Sequence, residues 1–149
     1  MFFISRFIIA WAIWLIFADK KRWREIFPIC FFAAHLGGTT DIIMRHYELW
    51  EYNGAHTLVR ELLDDWETYI VVTYLFIQWL PKQQTFWNLF KYFFIWTAVA
   101  IGIEWTHVIS GKMEYHKWWN MGCSYLSDWF LFWLFYKIHK LFTKKISFQ

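Results

Sequence analysis

Two acidic residues, Asp41 and Glu104, stand near the ends of long apolar stretches rather than in polar loops. Inserting an ionised carboxylate into the middle of a membrane costs about 2.5–3.5 kcal/mol, so acids in apolar segments are usually functional. Two carboxylates brought together at low dielectric repel each other, and one keeps its proton at neutral pH. Such a proton serves a general acid or a proton-coupled carrier. The alternative is that both acids are ionised at the membrane boundary, where they cap a helix or pair with Arg45 or His107.

A metal site is a second hypothesis at Glu104, because His107 follows it by three residues and shares its helix face. A Glu-x-x-His pair supplies half of the ligands of a carboxylate-bridged dimetal centre. The rest of the chain departs from this pattern, since Met44 stands where the second histidine belongs and His46 is displaced by two residues. We therefore predict no metal and no other cofactor. The weak candidate ligands are His107, Glu104, His46 and His35.

An internal repeat emerges when the chain is compared with itself at an offset of 63 residues. The matching pairs are Asp41 with Glu104, Glu51-Tyr52 with Glu114-Tyr115, and Asp65-Trp66 with Asp128-Trp129. Each copy is expected to hold a rising helix with an acid near its outer end, an outer loop with Glu-Tyr, and a descending helix. The alternative is that aromatic belts and helix caps, which recur in many membrane proteins, produce the same pattern.

The repeat selects the candidate site residues. We predict that the catalytic carboxylates are Asp41, Glu104, Asp65 and Asp128. We predict that the substrate contacts are Glu51, Tyr52, Glu114, Tyr115, Trp66, Trp129 and Trp105.

The amino-acid composition is that of a membrane protein. Of 149 residues, 58% are hydrophobic and 26% are aromatic, whereas 18% are charged. Globular proteins carry about 45–50% apolar and about 25% charged residues, and a domain of this length could not bury so much aromatic surface in one core. The net charge of +3 gives no reason to expect nucleic acid as a partner. Disorder, a coiled coil and a disulfide scaffold are also excluded, and Cys30 and Cys123 are predicted to be free thiols.

Five apolar stretches have the roughly 20 residues that one membrane crossing needs. We predict an all-α integral membrane protein with transmembrane helices at Phe2–Phe17, Ile26–Met44, Leu62–Leu80, Phe86–Ile109 and Trp119–Leu141. Asp64, Asp65 and Asp128 are expected in the first turns of the third and fifth helices, where a carboxylate caps free N–H groups. Residues 1–149 are predicted to form a single transmembrane domain, with an extra first helix at 1–22 and repeats at 23–80 and 86–143. The first helix is interpreted as a retained span rather than a signal peptide.

The basic residues give the predicted orientation. Ten of the 15 Lys and Arg residues fall on one side of the five spans, and ten of the 12 acidic residues fall on the other. Because cytoplasmic loops carry an excess of Lys and Arg, the N-terminus is predicted outside and the C-terminus in the cytoplasm. Both copies of the repeat then start inside, so helices 2-3 and 4-5 form a parallel duplicated pair. We predict a multi-pass protein of the bacterial cytoplasmic membrane.

The whole chain resembles an uncharacterised family of small, aromatic-rich, multi-span membrane proteins of spore-forming bacteria. The resemblance rests on size, a basic tail and the acid-then-aromatic pattern around Asp41, Glu51-Tyr52, Asp65-Trp66 and Glu104-Trp105. It implies an integral membrane protein and no established activity. In architecture alone, the chain is similar to five-span sterol isomerases and membrane-bound terpenoid cyclases, which protonate apolar substrates with buried acids. None of their motifs is present to transfer, so this likeness is an analogy.

Three classes of function remain open from the sequence. The first is a membrane enzyme of isomerase or cyclase type that uses buried carboxylates for acid–base chemistry on an apolar lipid or isoprenoid. The second is a carrier or channel component, which with five spans would require a homo-oligomer. The third is a non-catalytic, lipid-binding accessory subunit. Membrane lipids and an apolar small molecule are the expected partners.

Overall fold

The computed structural model describes residues 2–53 and 58–146, with side chains over 4–53 and 68–143. Within these residues the chain forms five α-helices: α1 Phe2–Phe17, α2 Trp23–His46, α3 Leu58–Gln78, α4 Phe86–Ile109 and α5 Met121–Ile146. A short 3-10 helix, Lys20–Arg22, connects α1 to α2. Two strands, β1 Trp50–Tyr52 and β2 Met113–Tyr115, form an antiparallel sheet. The prediction of a mostly helical protein is confirmed.

Two of the helical segments, Lys20–His46 and Phe86–Ile109, are long and apolar enough to cross a membrane. The apolar parts of α1 and α3, Ile4–Phe17 and Thr68–Gln78, are shorter. By length and composition the described residues therefore contain two candidate spans, and the five spans with their orientation stay a prediction.

The third and fifth helices begin earlier than predicted. α3 starts at Leu58 and α5 at Met121, so Asp64, Asp65 and Asp128 lie about two turns inside their helices and the prediction of first-turn positions was wrong. The physical reason is visible at α5, where another residue supplies the capping acceptor. Oδ1 of Asn120 accepts hydrogen bonds from two backbone N–H groups of the first turn, at 2.8 Å from Gly122 and 3.3 Å from Cys123.

The sheet is built from the two Glu-Tyr segments that the sequence placed in outer loops. The residue pairs across it are Trp50–Tyr115, Glu51–Glu114 and Tyr52–Met113. Successive side chains of a strand point to opposite faces, so the two glutamates share one face and the four flanking side chains share the other. The second face lies on a small core of Leu49, Trp50 and Met113, to which Tyr52 and Tyr115 add partly buried rings.

Element boundaries recur along the chain at the same offset of 63 residues. Helices α2 and α4 are both 24 residues long, and they begin one offset apart. The two strands, and the first residues of α3 and α5, keep this spacing as well. The periodicity is therefore present in the backbone as well as in the acidic residues.

The residues group into two compact units. The first contains Met1–Gly38, His56–Leu80 and Phe135–Gln149, and the second contains Thr39–Ala55 and Pro81–Leu134. The first unit packs α1 against α3 and against the first part of α2. Its buried core includes Ile26, Ile29, Cys30, Tyr74, Phe76 and Ile77.

Aromatic and polar contacts hold the first unit together. The ring of Trp14 meets that of Tyr74 edge-on at 5.5 Å between centroids, and Arg6 donates a hydrogen bond to Oγ1 of Thr68 at 2.6 Å. At Gly37, α2 lies so close to α3 that an added Cβ would fall 2.2 Å from Cε2 of Tyr69. Small residues permit such close approach of two helices.

The second unit joins α4 to the first part of α5 through aromatic rings. Phe93 and Trp129 meet edge-on at 5.5 Å, and Trp96 and Phe132 are 6.2 Å apart. Edge-on ring pairs add about 0.5–1.5 kcal/mol beyond the area that they bury. Both cysteines of the chain are free thiols, as predicted.

Candidate functional site

A hydrogen-bonded cluster surrounds the carboxylate of Glu104, near the end of α4 in the second unit. Its Oε1 accepts hydrogen bonds from the Tyr115 hydroxyl and from Oγ of Ser124, the latter at 2.7 Å. Ser124 accepts a hydrogen bond from the indole N–H of Trp119 at 3.0 Å. Glu104 and Tyr115 are half-buried, and Ser124 is buried. Two hydroxyl donors therefore converge on a single carboxylate oxygen.

Local sequence explains how three elements bring these side chains together. Gly111 follows α4 with a φ of +66°, a left-handed conformation that favours glycine and reverses the chain. β2 then lies against α4, with Tyr115 on the buried face of the sheet. Asn120 starts α5, which places Ser124 in its first turn and within reach of Glu104.

Asp128 extends the cluster to a second carboxylate. It lies one helical turn after Ser124 on α5, so the two side chains are on the same helix face. The charge of Asp128 interacts with Glu104 and with Tyr115. Of the four predicted catalytic carboxylates, the structure thus brings Glu104 and Asp128 together. The early start of α5 is the cause, because an Asp128 at the helix end would not lie one turn beyond Ser124.

The phenol of Tyr115 is held in its protonated form. Burial raises its pKa most, and the hydrogen bond to Glu104 and the charge of that carboxylate raise it further. The hydrogen bond with Ser124 acts in the opposite direction and is weaker than these effects. At neutral pH the Tyr115 hydroxyl is therefore a hydrogen-bond donor. A carboxylate with two hydroxyl donors and a second carboxylate nearby has the groups needed to accept one proton and deliver another.

The histidines do not complete a metal site within the described residues. His107 is 5% exposed, and its ring meets that of Tyr52 edge-on at 6.0 Å. His46 and His35 are exposed. Among the residues whose placement is described, no group of three or more His, Cys, Asp or Glu side chains is arranged to hold a metal ion.

The predicted substrate contacts Glu51 and Glu114 lie on the exposed face of the sheet. Glu114 accepts a hydrogen bond from Nδ2 of Asn53 at 2.7 Å, and a carboxylate oxygen of Glu51 lies 3.9 Å from Nε2 of His116. Because Tyr115 reaches Glu104 from the opposite face, the structure does not bring these two glutamates to the cluster.

The predicted aromatic contacts divide into buried and exposed residues. Tyr52 lies on the same face of the sheet as Tyr115. Trp129 follows Asp128 and packs between α4 and α5, whereas Trp105 is 53% exposed. Of these residues, Tyr115 alone is shown to bond directly to Glu104.

The remaining predicted site residues belong to the first copy of the repeat. Asp41 is half-buried on α2, within the second unit. α3 includes Asp65 and Trp66, but the side chains of both lie outside the described residues. The predicted approach of Asp41 to Glu104 stays a prediction.

The sequence analysis missed Ser124 and Trp119. The available signal was the spacing of Ser124 and Asp128, four residues apart and so on one face of any helix that contains both. Recognising it required an α5 that starts before Ser124, and we had predicted a helix with Asp128 in its first turn.

The chain matches no known protein family, no curated protein and no solved structure. The geometry around Glu104 is therefore the basis for a proposed function.

Proposed function

We propose that this protein is an integral membrane enzyme that moves protons on an apolar lipid or isoprenoid substrate. The observation that carries the proposal is the convergence of the Tyr115 and Ser124 hydroxyls on one oxygen of Glu104, beside Asp128. Isomerising a double bond needs an acid that protonates one carbon and a base that removes a proton from another. Two neighbouring carboxylates at low dielectric share one proton, and so supply both.

The hydrogen bonds assign the two roles. Glu104 accepts two hydroxyl donors, and hydrogen bonds to a carboxylate favour its ionised form. We therefore assign Glu104 as the base and Asp128 as the acid. Tyr115 and Ser124 orient Glu104 and stabilise its charge.

The surroundings of Asp128 favour an apolar substrate. Trp129, the next residue, packs its ring against Phe93, and Trp96 lies against Phe132 one turn further along the same two helices. Aromatic faces also stabilise a cation within about 6 Å. They would therefore favour the positive charge that develops when a double bond is protonated.

The membrane location rests on the two candidate spans and on exposed apolar surface. In the most apolar windows of Lys20–His46 and Phe86–Ile109, 33% and 17% of the residues are buried. Helix α1 likewise exposes Ile8 and Ile16, at 62% and 73%. Lipid would cover these side chains. We propose all five helices as spans, with the N-terminus outside and the C-terminus inside the bacterial cytoplasmic membrane, as the distribution of basic residues predicts.

We also propose that α2–β1–α3 and α4–β2–α5 are two copies of one ancestral unit. The support is the common offset of the helix starts and of both strands, together with the equal lengths of α2 and α4. Helix α1 is then an addition outside the repeat.

A test of the proposed chemistry is solvent deuterium exchange. The protein is extracted with its surrounding lipid, the apolar lipid that co-purifies is identified by mass spectrometry, and that lipid is incubated with the protein in heavy water. An acid–base isomerase incorporates deuterium at carbon. We expect Glu104→Gln to slow incorporation by about 10²–10⁴-fold, because general acid–base catalysis contributes this much.

The matched control is Glu114→Gln, since Glu114 is an exposed acid on the other face of the same sheet. It should leave the exchange rate unchanged. Absence of deuterium from every lipid incubated with the wild-type protein would contradict an enzyme. Proton flux into liposomes that Glu104→Gln abolishes would then favour the oligomeric carrier, and absence of flux would favour the accessory subunit.

A further inference from the structure

We propose that Asp41 and Tyr52 form a second carboxylate–tyrosine site, equivalent to Glu104 and Tyr115 and related to them by a local twofold axis through the sheet. The proposal rests on the duplication proposed above. Each site would hold one exchangeable proton, so the chain would carry two proton-holding carboxylates beneath one sheet.

The first support is that the turns after α2 and α4 have the same hydrogen bonds. The N–H of Leu49 bonds to the Met44 carbonyl at 2.9 Å, and the N–H of Lys112 bonds to the His107 carbonyl at 2.8 Å. Both residues of each bond are one offset of 63 apart from their counterparts. The two helices therefore end in the same way and deliver their strands with the same geometry.

The backbone conformation of these turns repeats as well. Glu48 has a φ of 55° and Gly111 a φ of 66°, and they are again one offset apart. A left-handed conformation is uncommon in a residue other than glycine. Its occurrence at the equivalent position, in a residue that does not favour it, indicates that the fold of the turn requires it.

The register of the sheet is the strongest support. Glu51 and Glu114 are equivalent residues, and they lie directly opposite each other. The flanking pairs are Trp50–Tyr115 and Tyr52–Met113. A twofold axis between the glutamates exchanges Trp50 with Met113 and Tyr52 with Tyr115, and so converts each flanking pair into the other. Any other register would break this relation.

The position of the second site follows from this symmetry. Glu104 lies five residues before the end of α4, and Asp41 lies five residues before the end of α2. Tyr115 and Tyr52 are the last residues of their strands, on the same face of the sheet. Because Tyr115 donates its hydroxyl proton to Glu104, Tyr52 is placed to do the same for Asp41.

The two sites adjoin each other. The ring of Tyr52, from the first copy, is 6.0 Å from the ring of His107, which belongs to the second copy. Under the twofold, the residue equivalent to His107 is Met44, and both Met44 and Tyr115 pack on the core beneath the sheet. Each tyrosine therefore connects its own carboxylate to the other half of the repeat.

The test is a pair of double-mutant cycles measured by thermal unfolding in detergent. One combines Asp41→Leu with Tyr52→Phe, and the reference cycle combines Glu104→Met with Tyr115→Phe. Losing a hydrogen bond to a charged group should lower the Tm by about 3–10 °C in a chain of this size. In each cycle the double variant should lose no more than the larger single variant, because the second change removes a bond already broken.

The control cycle pairs Asp41→Leu with Tyr47→Phe, since Tyr47 is 60% exposed and precedes the sheet. Its effects should be additive. Additive effects of Asp41 and Tyr52, alongside a non-additive reference cycle, would overturn the second site and leave the proposed function intact. Additivity in both cycles would overturn both. Non-additivity of Asp41→Leu with Arg45→Met in place of Tyr52→Phe would also overturn the second site, by assigning Asp41 to an ion pair.

A spectroscopic measurement keeps the proposal testable if an Asp41 variant fails to fold. Infrared spectra of the folded Tyr52→Phe and Tyr115→Phe proteins are compared across a pH titration. Each variant should shift a different carboxyl C=O band, because each removes a donor from a different acid. A Tyr52→Phe spectrum identical to the wild type would overturn the proposal.

Discussion

Replacing Gly37 by alanine tests the closest helix contact of the first unit. A Cβ at this position would lie 2.2 Å, 2.4 Å and 2.6 Å from Cε2, Cζ and Cδ2 of Tyr69. Carbon atoms in van der Waals contact are about 3.5–4.0 Å apart, so the methyl group would overlap the ring by more than an ångström. Either α2 moves away from α3 or the ring leaves its place.

Two opposing effects set the magnitude. Overpacking of this kind usually costs about 1–3 kcal/mol. Alanine is about 1 kcal/mol more favourable than glycine inside a helix, which offsets part of the loss. We expect Gly37→Ala to lower the free energy of unfolding by up to about 2 kcal/mol, or the Tm by about 4–8 °C in a chain of this size.

The matched control is Gly102→Ala in α4, where an added Cβ meets nothing within 4 Å. This variant gains the helix propensity without the overlap, so its Tm should rise. Thermal unfolding followed by circular dichroism in detergent measures both. A Gly37→Ala protein as stable as Gly102→Ala would refute the close contact. Combining Gly37→Ala with Tyr69→Ala should recover the loss that overlap causes, relative to Tyr69→Ala alone.

Two further predictions concern the second unit. Asn120→Ala removes the cap of α5 and should lower the free energy of unfolding by about 1 kcal/mol, whereas Asn120→Asp, which keeps the acceptor, should be as stable as the wild type in the same melting experiment; equal Tm values for both variants would show that the cap is unimportant. The hydrogen bond and charge of Lys117, whose Nζ lies 3.0 Å from Oε2 of Glu48, lower the pKa of Glu48 below its usual 4.5. A lowered folded pKa adds stability above the usual value that is lost as the pH falls through the folded one, so the Tm of Lys117→Gln should fall less than that of the wild type between about pH 6 and about pH 3; identical pH profiles would contradict this.

The helices with sharp chemical boundaries could be predicted from the sequence. The predicted bounds of the first and fourth helices, Phe2–Phe17 and Phe86–Ile109, agree with the structure. Each apolar run is adjacent to residues that stop or start a helix, such as Asp19 after α1 and Thr85 before α4. The hydroxyl of Thr85 accepts a hydrogen bond from the N–H of Asn88. At α5 two residues compete for the capping role, and composition alone did not distinguish Asn120 from Asp128.

The sheet could not be predicted, and the site only in part. Three-residue strands are too short to show an alternating pattern, and β1 pairs with a segment 63 residues away. The acid-repeat argument did select Glu104, Asp128 and Tyr115. It also selected Glu51 and Glu114, because equivalence in a repeat says nothing about which face of a strand a residue occupies. That distinction depends on pairing register, which only the folded chain specifies.

The sequence distance between β1 and β2 has a consequence for biosynthesis. At about 5–20 residues per second, β1 leaves the ribosome roughly 3–12 s before its partner strand, whereas adjacent strands pair within about 1–10 μs. During this interval the backbone groups of Trp50–Tyr52 have no strand to bond to, although α2 and α3 are already synthesised. Closure of the sheet therefore reports completion of the second half, and a chain stalled before Met113 would expose an unpaired edge that quality-control proteases and chaperones can recognise.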